Sequence, residues 1–153
     1  MRRSEREITD RALIDDIIRR AQVCRLGLLD GELPYIVPLS FGYDGQTLYF
    51  HCAPQGRKLD LIRRQPRVCF EFDIMENLIE AAEACHWGVR YQSVMGTGTA
   101  EIVADAAGKR QALAAVMAHY APGGTYAFPD AAIACTGALR VTIESIAGKQ
   151  SAR

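Results

Sequence analysis

Two Asp-Gly dipeptides, Asp30-Gly31 and Asp44-Gly45, each stand between short apolar runs, and they constrain the fold more than any other feature of the chain. Asp-Gly readily adopts the positive φ that a two-residue hairpin turn requires, so the first third of the sequence is committed to antiparallel strands. The spacing predicts strands over 23–29, 34–41 and 47–52. Pro34 and Pro38 remove two backbone donors from the second of these, so it is expected to be interrupted or at a sheet edge for part of its length. Residues 68–73 alternate, with Val68, Phe70 and Phe72 on one side and Cys69 and Glu71 on the other. A long strand over 91–104 contains Gly96 and Gly98, which predict a bulge or a close backbone approach. A final strand spans 139–146.

Three helices are expected between these strands. One covers 11–21 behind a Thr9-Asp10 cap. A short one is marked by Leu59, Leu61 and Ile62 and ended by Pro66. An amphipathic one over 108–120 is stopped by Ala121-Pro122-Gly123-Gly124. Residues 76–83 are polar and Ala-rich and read as a loop or a broken helix. Few helices and many strands joined by tight turns predict a mainly β fold, a closed or partly closed antiparallel barrel.

The 153 residues are expected to form one domain over 1–153, large enough to bury a core unaided. Lys and Arg balance Asp and Glu at 18 each, which argues against nucleic acid or a charged membrane surface as partner. No apolar run reaches membrane-spanning length. The opening Met1-Arg2-Arg3-Ser4-Glu5-Arg6-Glu7 lacks the apolar stretch of a secretory signal, so a cytoplasmic location is expected. The five cysteines are widely spaced with no C-x-x-C pair, so no metal site or disulfide framework is expected. Cys24 and Cys69 read as small core residues, and Cys52 and Cys85, each beside a His, as buried and inert.

The stretch Tyr49-Phe50-His51-Cys52-Ala53-Pro54-Gln55-Gly56-Arg57-Lys58-Leu59 carries the most chemistry. An apolar strand ends in an imidazole, a Pro/Gly turn follows, and two cations open a helix. Free N–H groups, the positive helix end and the cations together suit a phosphate. A solvated strand–turn–helix with soluble charges is the plain alternative. His51 reads either as a satisfied strand-end histidine or as a ligand contact and proton donor. His119 and Tyr120 end a helix and read as structural.

Pro34-Tyr35-Ile36-Val37-Pro38-Leu39-Ser40-Phe41-Gly42-Tyr43, then Tyr49-Phe50-His51 with Gly56-Arg57-Lys58, Cys85 through Tyr91, Ser93-Val94-Met95-Gly96-Thr97-Gly98 and Gly148-Lys149 form an ordered set. In that order they resemble the pyridoxamine 5′-phosphate oxidase-like split-barrel flavoproteins, most of all the nitroimidazole-resistance (Nim-type) branch, from about Arg3 to Lys149. The resemblance implies a six-stranded antiparallel split β-barrel that forms a homodimer with FMN at the subunit interface. It implies phosphate binding by Arg57 and Lys58, backbone contacts to the isoalloxazine edge from Pro38, Leu39 and Ser40, and a flavin or catalytic contact from His51. Trp87 and Tyr91 would cover the flavin or line a substrate pocket, or else pack an interface; Ser93 and Lys149 complete the expected cofactor set.

The function implied is an FMN-dependent oxidoreductase that reduces a small electrophile such as a nitro-aromatic (5-nitroimidazole). A non-catalytic module holding FMN, FAD or haem is the competing reading, with His51 or His86 as an axial haem ligand. Oxidation of pyridoxamine phosphate itself fits less well, because no second phosphate-binding cluster is identifiable.

Overall fold

In a computed structural model that describes residues 4–151, the chain forms an antiparallel sheet bent around one main core. Met1–Arg3, Ala152 and Arg153, included in the expected 1–153 domain and, at the start, in the opening segment, lie outside the described residues.

The strands are β1 (Glu7–Ile8), β2 (Cys24–Asp30), β3 (Leu33–Leu39), β4 (Gly42–Tyr43), β5 (Thr47–Cys52), β6 (Arg67–Ile79), β7 (Gly88–Val103) and β8 (Gly137–Gln150). Two of them have only two residues, which leaves six principal strands. Their order is β3-β2-β6-β7-β8-β5-β4, with β1 added alongside β8. The path does not close: β3 and β4 are its two ends. The sheet is therefore a split barrel, as expected.

Four helices accompany it: α1 (Arg11–Arg20), α2 (Arg57–Arg64), α3 (Ala106–Tyr120) and α4 (Asp130–Cys135). Asp10 caps α1 by accepting the Ala12 amide at 2.9 Å, and Ile14, Ile17 and Ile18 face the core at helical spacing. In α2, Leu59, Leu61 and Ile62 are buried, so this short helix plugs the barrel next to its open seam. Phe41, Phe50, Phe70 and Phe72 are the largest fully enclosed side chains. Phe41 and Phe72 sit 4.8 Å apart, tilted by 55°, a favourable aromatic arrangement.

Several expectations need correction. Asp30 is the last paired residue of its hairpin, opposite Leu33, and the turn is Gly31-Glu32, with Gly31 at φ 65°. Residues 76–79 continue β6, which together with the start of β7 projects as a ribbon; only 84–86 are helical, in one 3-10 turn. Helix α3 is not amphipathic: it is Ala-rich nearly all round and buries only Ala112 and Val116. Helix α4 was not anticipated. Cys24 is buried as expected, whereas Cys69 and Cys85 are exposed and Cys52 is half-buried. Strand alternation explains Cys69, since Val68 and Phe70 take the inner face and send it outward.

Gly96 and Gly98 do mark close approaches. A β-carbon on Gly98 would lie 2.3 Å from the Thr142 carbonyl oxygen, beside a register shift between β7 and β8. His119 and Tyr120 are structural, as read: His119 Nε2 is 2.9 Å from the Ala21 carbonyl and its ring stacks 4.2 Å from Phe41, while the Tyr120 hydroxyl donates to the Gln22 carbonyl.

The turn at Asp44 couples the fold to pH. Burial works to raise the pKa of its carboxyl, but hydrogen bonds from the Gln46 amide, the Tyr49 hydroxyl and the Thr47 amide outweigh burial and hold it below the usual carboxylate range. A depressed carboxyl stabilises the fold above its unfolded pKa and loses that contribution as pH falls through its folded pKa. The melting temperature of Asp44→Asn should therefore lie below that of the parent at neutral pH, with the gap narrowing across the acid range. A gap independent of pH would show that the charge contributes nothing.

Candidate functional site

The site is built around an unpaired strand edge. The principal pairing of β3 is with β2, over Cys24–Leu39 to Asp30–Leu33, and its other edge pairs with no strand among the described residues. Backbone groups that alternate away from β2 therefore point to that open edge, with Pro34 and Pro38 offering carbonyls alone. The opposite end of the sheet is different, because α3 packs over β4 and β5. Along β3, Tyr35, Val37 and Leu39 turn inward against the core, while Pro34, Ile36 and Pro38 are exposed.

At one end of that edge stands the basic corner. Gly56, at φ 133°, turns the chain into α2 and supplies no side-chain cap, so Arg57 and Lys58 open the helix with its first N–H groups beside them. The Arg57 Nε–H donates to the Asp30 carboxylate at 2.8 Å, and the guanidinium lies 4.8 Å from the centre of the Tyr35 ring. Arg57 thus clasps the β2–β3 hairpin from α2. Lys58 is half-buried; its charge lowers the pKa of the neighbouring Cys52 thiol, but burial is the larger effect and leaves that thiol raised.

At the other end, Pro38 pairs with Arg25, which forms ion pairs with Glu71 and Asp73. Asp73 faces Ser93 in β7, and Ser93 faces Lys149 in β8. Lys149 Nζ lies 5.9 Å from the centre of the Tyr91 ring. Pro38, Ser93, Tyr91 and Lys149 consequently belong to one band across the sheet. Burial and the nearby Asp73 charge raise the Glu71 pKa, against the pull of Arg25.

Between the ends, the outer face of β2, β3, β6, β7 and β8 carries a groove of about 490 Å³. Ile36, Cys69, Met95 and Thr97 line it, and Gly27 keeps its floor low. A β-carbon on Gly27 would meet Cys69 Sγ at 2.6 Å. The surroundings are unusually apolar for a surface: Leu33 is 72% exposed, Ile36 64% and Met95 58%.

The expected site residues are spread over several elements. Arg57 and Lys58 share the hairpin corner, and Pro38, Leu39 and Ser40 lie along the same edge strand, Leu39 with its side chain turned inward. His51 lies on β5 on the same face as Tyr49, six residues before Arg57, whose side chain reaches Asp30 and the Tyr35 ring. Trp87 is half-exposed beyond the β6–β7 ribbon and donates its indole N–H to the Ala81 carbonyl at 2.7 Å. Asp30, Tyr35 and Arg25 escaped the sequence reading. Asp30 carried only a turn signal, and pairings 27 and 46 residues apart have no local signature.

The chemistry of this edge would suit a flavin bearing a phosphate. Tyr35, under the Arg57 guanidinium, is three residues from Pro38, about 10 Å at a strand rise of ~3.3 Å. A phosphate and a five-carbon ribityl chain would bridge such a span, the basic corner suiting the anionic end and the backbone groups of 38–40 the ring end.

Comparison with known proteins agrees with the architecture. The profile of a family described as pyridoxamine 5′-phosphate oxidase matches residues 10–150. No curated protein matches the chain. Among solved structures, a candidate 5-nitroimidazole antibiotic resistance protein of Bacteroides thetaiotaomicron is 33% identical, with a TM-score of 0.84 over 94% of this chain and 86% of that one. An FAD- and haem-binding protein of Mycobacterium smegmatis (23% identity, TM-score 0.86, 97% of this chain and 74% of that one) shares the fold. So does a flavocytochrome of Azotobacter vinelandii, at 21% identity and TM-score 0.86 over 100% and 72% of the two chains.

Proposed function

Because the chain belongs to the pyridoxamine 5′-phosphate oxidase family, we propose that it binds FMN along the open edge of β3 and reduces a small electrophile of the nitro-aromatic class. The observation that carries this reading is the edge itself, unpaired and running from two cations to a Pro-Leu-Ser segment. Similarity to a candidate 5-nitroimidazole resistance protein supports the substrate class. When bound, a flavin supplies the electron-transfer chemistry; the protein contributes position, charge and exclusion of water.

The chain's own residues divide the work. Arg57 presents a planar fork to phosphate oxygens and Lys58 a point charge. Asp30 holds the fork in place, so a phosphate shares Arg57 with that carboxylate. Pro38, Leu39 and Ser40 orient the ring through backbone groups. Reducing a nitro group to nitroso takes two electrons and two protons and releases water; the electrons originate from an external reductant, and His51 is the group proposed to deliver a proton.

His51 leaves β5 six residues ahead of Arg57, on the approach to the basic corner. The exposed Leu33, Ile36, Met75, Leu78 and Met95 supply the apolar surface for a homodimer with the cofactor at the subunit interface. No described helix is long and apolar enough to cross a membrane.

The test is anaerobic mixing of the reduced, FMN-loaded protein with a 5-nitroimidazole. Reoxidation matched by loss of the nitro absorbance is expected, with His51→Ala slowing it about 10²-fold while FMN stays bound. Reduced protein that remains reduced would leave a flavin-holding module. Equal rates in the parent and His51→Ala would remove His51 from the chemistry.

A further inference from the structure

We propose that Glu83, Cys85 and His86, at the turn joining β6 to β7, form a binding site for a zinc-class divalent transition metal. One ligand atom from each residue lies within 4.8 Å of the other two. Glu83 Oε2 is 3.4 Å from His86 Nδ1 and 3.7 Å from Cys85 Sγ. Zinc bonds of about 2.0–2.2 Å to oxygen and nitrogen and about 2.3 Å to sulfur give tetrahedral edges of roughly 3.3–3.6 Å, so the two separations from Glu83 are already close to an edge, and the Cys85–His86 separation closes by a side-chain rotation at most.

The turn is organised before any metal arrives. The His86 amide donates to the Glu83 carbonyl at 3.0 Å, the Trp87 amide to the Ala84 carbonyl at 3.2 Å, and the Trp87 indole to the Ala81 carbonyl at 2.7 Å. Those bonds fold 83–86 so that side chains two and three positions apart converge. Paired cysteines are the usual sequence signal of such a site, and this donor set has a single cysteine.

One thiolate, one imidazole and one carboxylate favour zinc or cobalt over magnesium or calcium, which prefer all-oxygen sets. Cys85 binds as thiolate, so its proton passes to solvent as the metal enters. Three protein ligands leave the fourth tetrahedral position to water or to another exchangeable donor, as in open zinc sites. All three side chains are exposed, giving the ion direct access.

The experiment is a titration of untagged, fully reduced protein with cobalt(II) chloride, followed by zinc competition. Saturation at one cobalt per chain is expected, with a tetrahedral ligand-field spectrum and a thiolate-to-cobalt charge-transfer band, both abolished by one equivalent of zinc. Cys85→Ser should eliminate the charge-transfer band. His86→Ala should weaken cobalt binding by more than the roughly 10–100-fold typical of losing a supporting residue, and Cys135→Ser should change neither signal. A spectrum without the charge-transfer band would overturn the proposal. So would a band that survives in Cys85→Ser and vanishes in Cys52→Ser, which would place the metal beside His51. None of these readouts depends on flavin, so the outcome is independent of the proposed redox function.

Discussion

Arg57→Ala combined with Lys58→Ala is expected to lower FMN affinity about 10³-fold, with each single substitution costing roughly 1.5–3 kcal/mol, the range for hydrogen bonds to a charged group. The argument rests on position. Both residues open α2 at a glycine-capped start, and Arg57 sits over Tyr35 at the head of the open β3 edge. The competing explanation is mechanical, with Arg57 serving only to tie the β2–β3 hairpin to α2 through Asp30. The two are separable. A purely mechanical clasp predicts that Arg57→Ala and Asp30→Asn lower the melting temperature alike and leave FMN affinity untouched. A phosphate site predicts that Arg57→Ala weakens binding while Asp30→Asn, which frees the guanidinium from a competing anion, does not. Isothermal titration of Arg57→Ala and Asp30→Asn with FMN decides between them.

Gly42→Ala should cost at least about 3 kcal/mol, the upper range for overpacking, and in a marginally stable domain that can prevent folding. A β-carbon at Gly42 would lie 2.3 Å from the Ala115 carbonyl carbon and 2.6 Å from the Val116 amide nitrogen, both backbone atoms of α3. Backbone cannot swing aside as a side chain can, so α3 would have to lift off β4. Gly88→Ala is the control: its β-carbon meets nothing closer than Ile79 at 3.6 Å, and its φ is not positive. Urea denaturation should show Gly88→Ala close to the parent. Equal midpoints for all three proteins would mean that α3 is not seated on β4 as described.

Much of the barrel was legible because local chemistry and tertiary demand coincide in it. Asp10 caps α1, the alternation of Val68, Phe70 and Phe72 marks the buried face of β6, and Pro34 and Pro38 mark an edge strand. Legibility fails where an element leaves the core. Residues 76–79 extend a strand, yet Leu78 and Ile79 are exposed together, so no period-two signal distinguishes them from a loop. Helix α4 is a six-residue Asp-Ala-Ala-Ile-Ala-Cys segment with only Ile133 buried, too short to show a helical period.

The candidate site divides the same way. The Gly-Arg-Lys corner and the proline-marked edge could be read locally. Their connection through Asp30 and Tyr35 arises only when the hairpin folds against α2.

The most direct test of the account is a fluorescence-quenching titration of flavin-free protein with FMN, alongside FAD and haem. The account predicts saturable FMN binding at one per chain in the parent, largely lost in the Arg57→Ala, Lys58→Ala double variant. A correctly folded parent that leaves FMN unbound, or binds haem in its place, would contradict it.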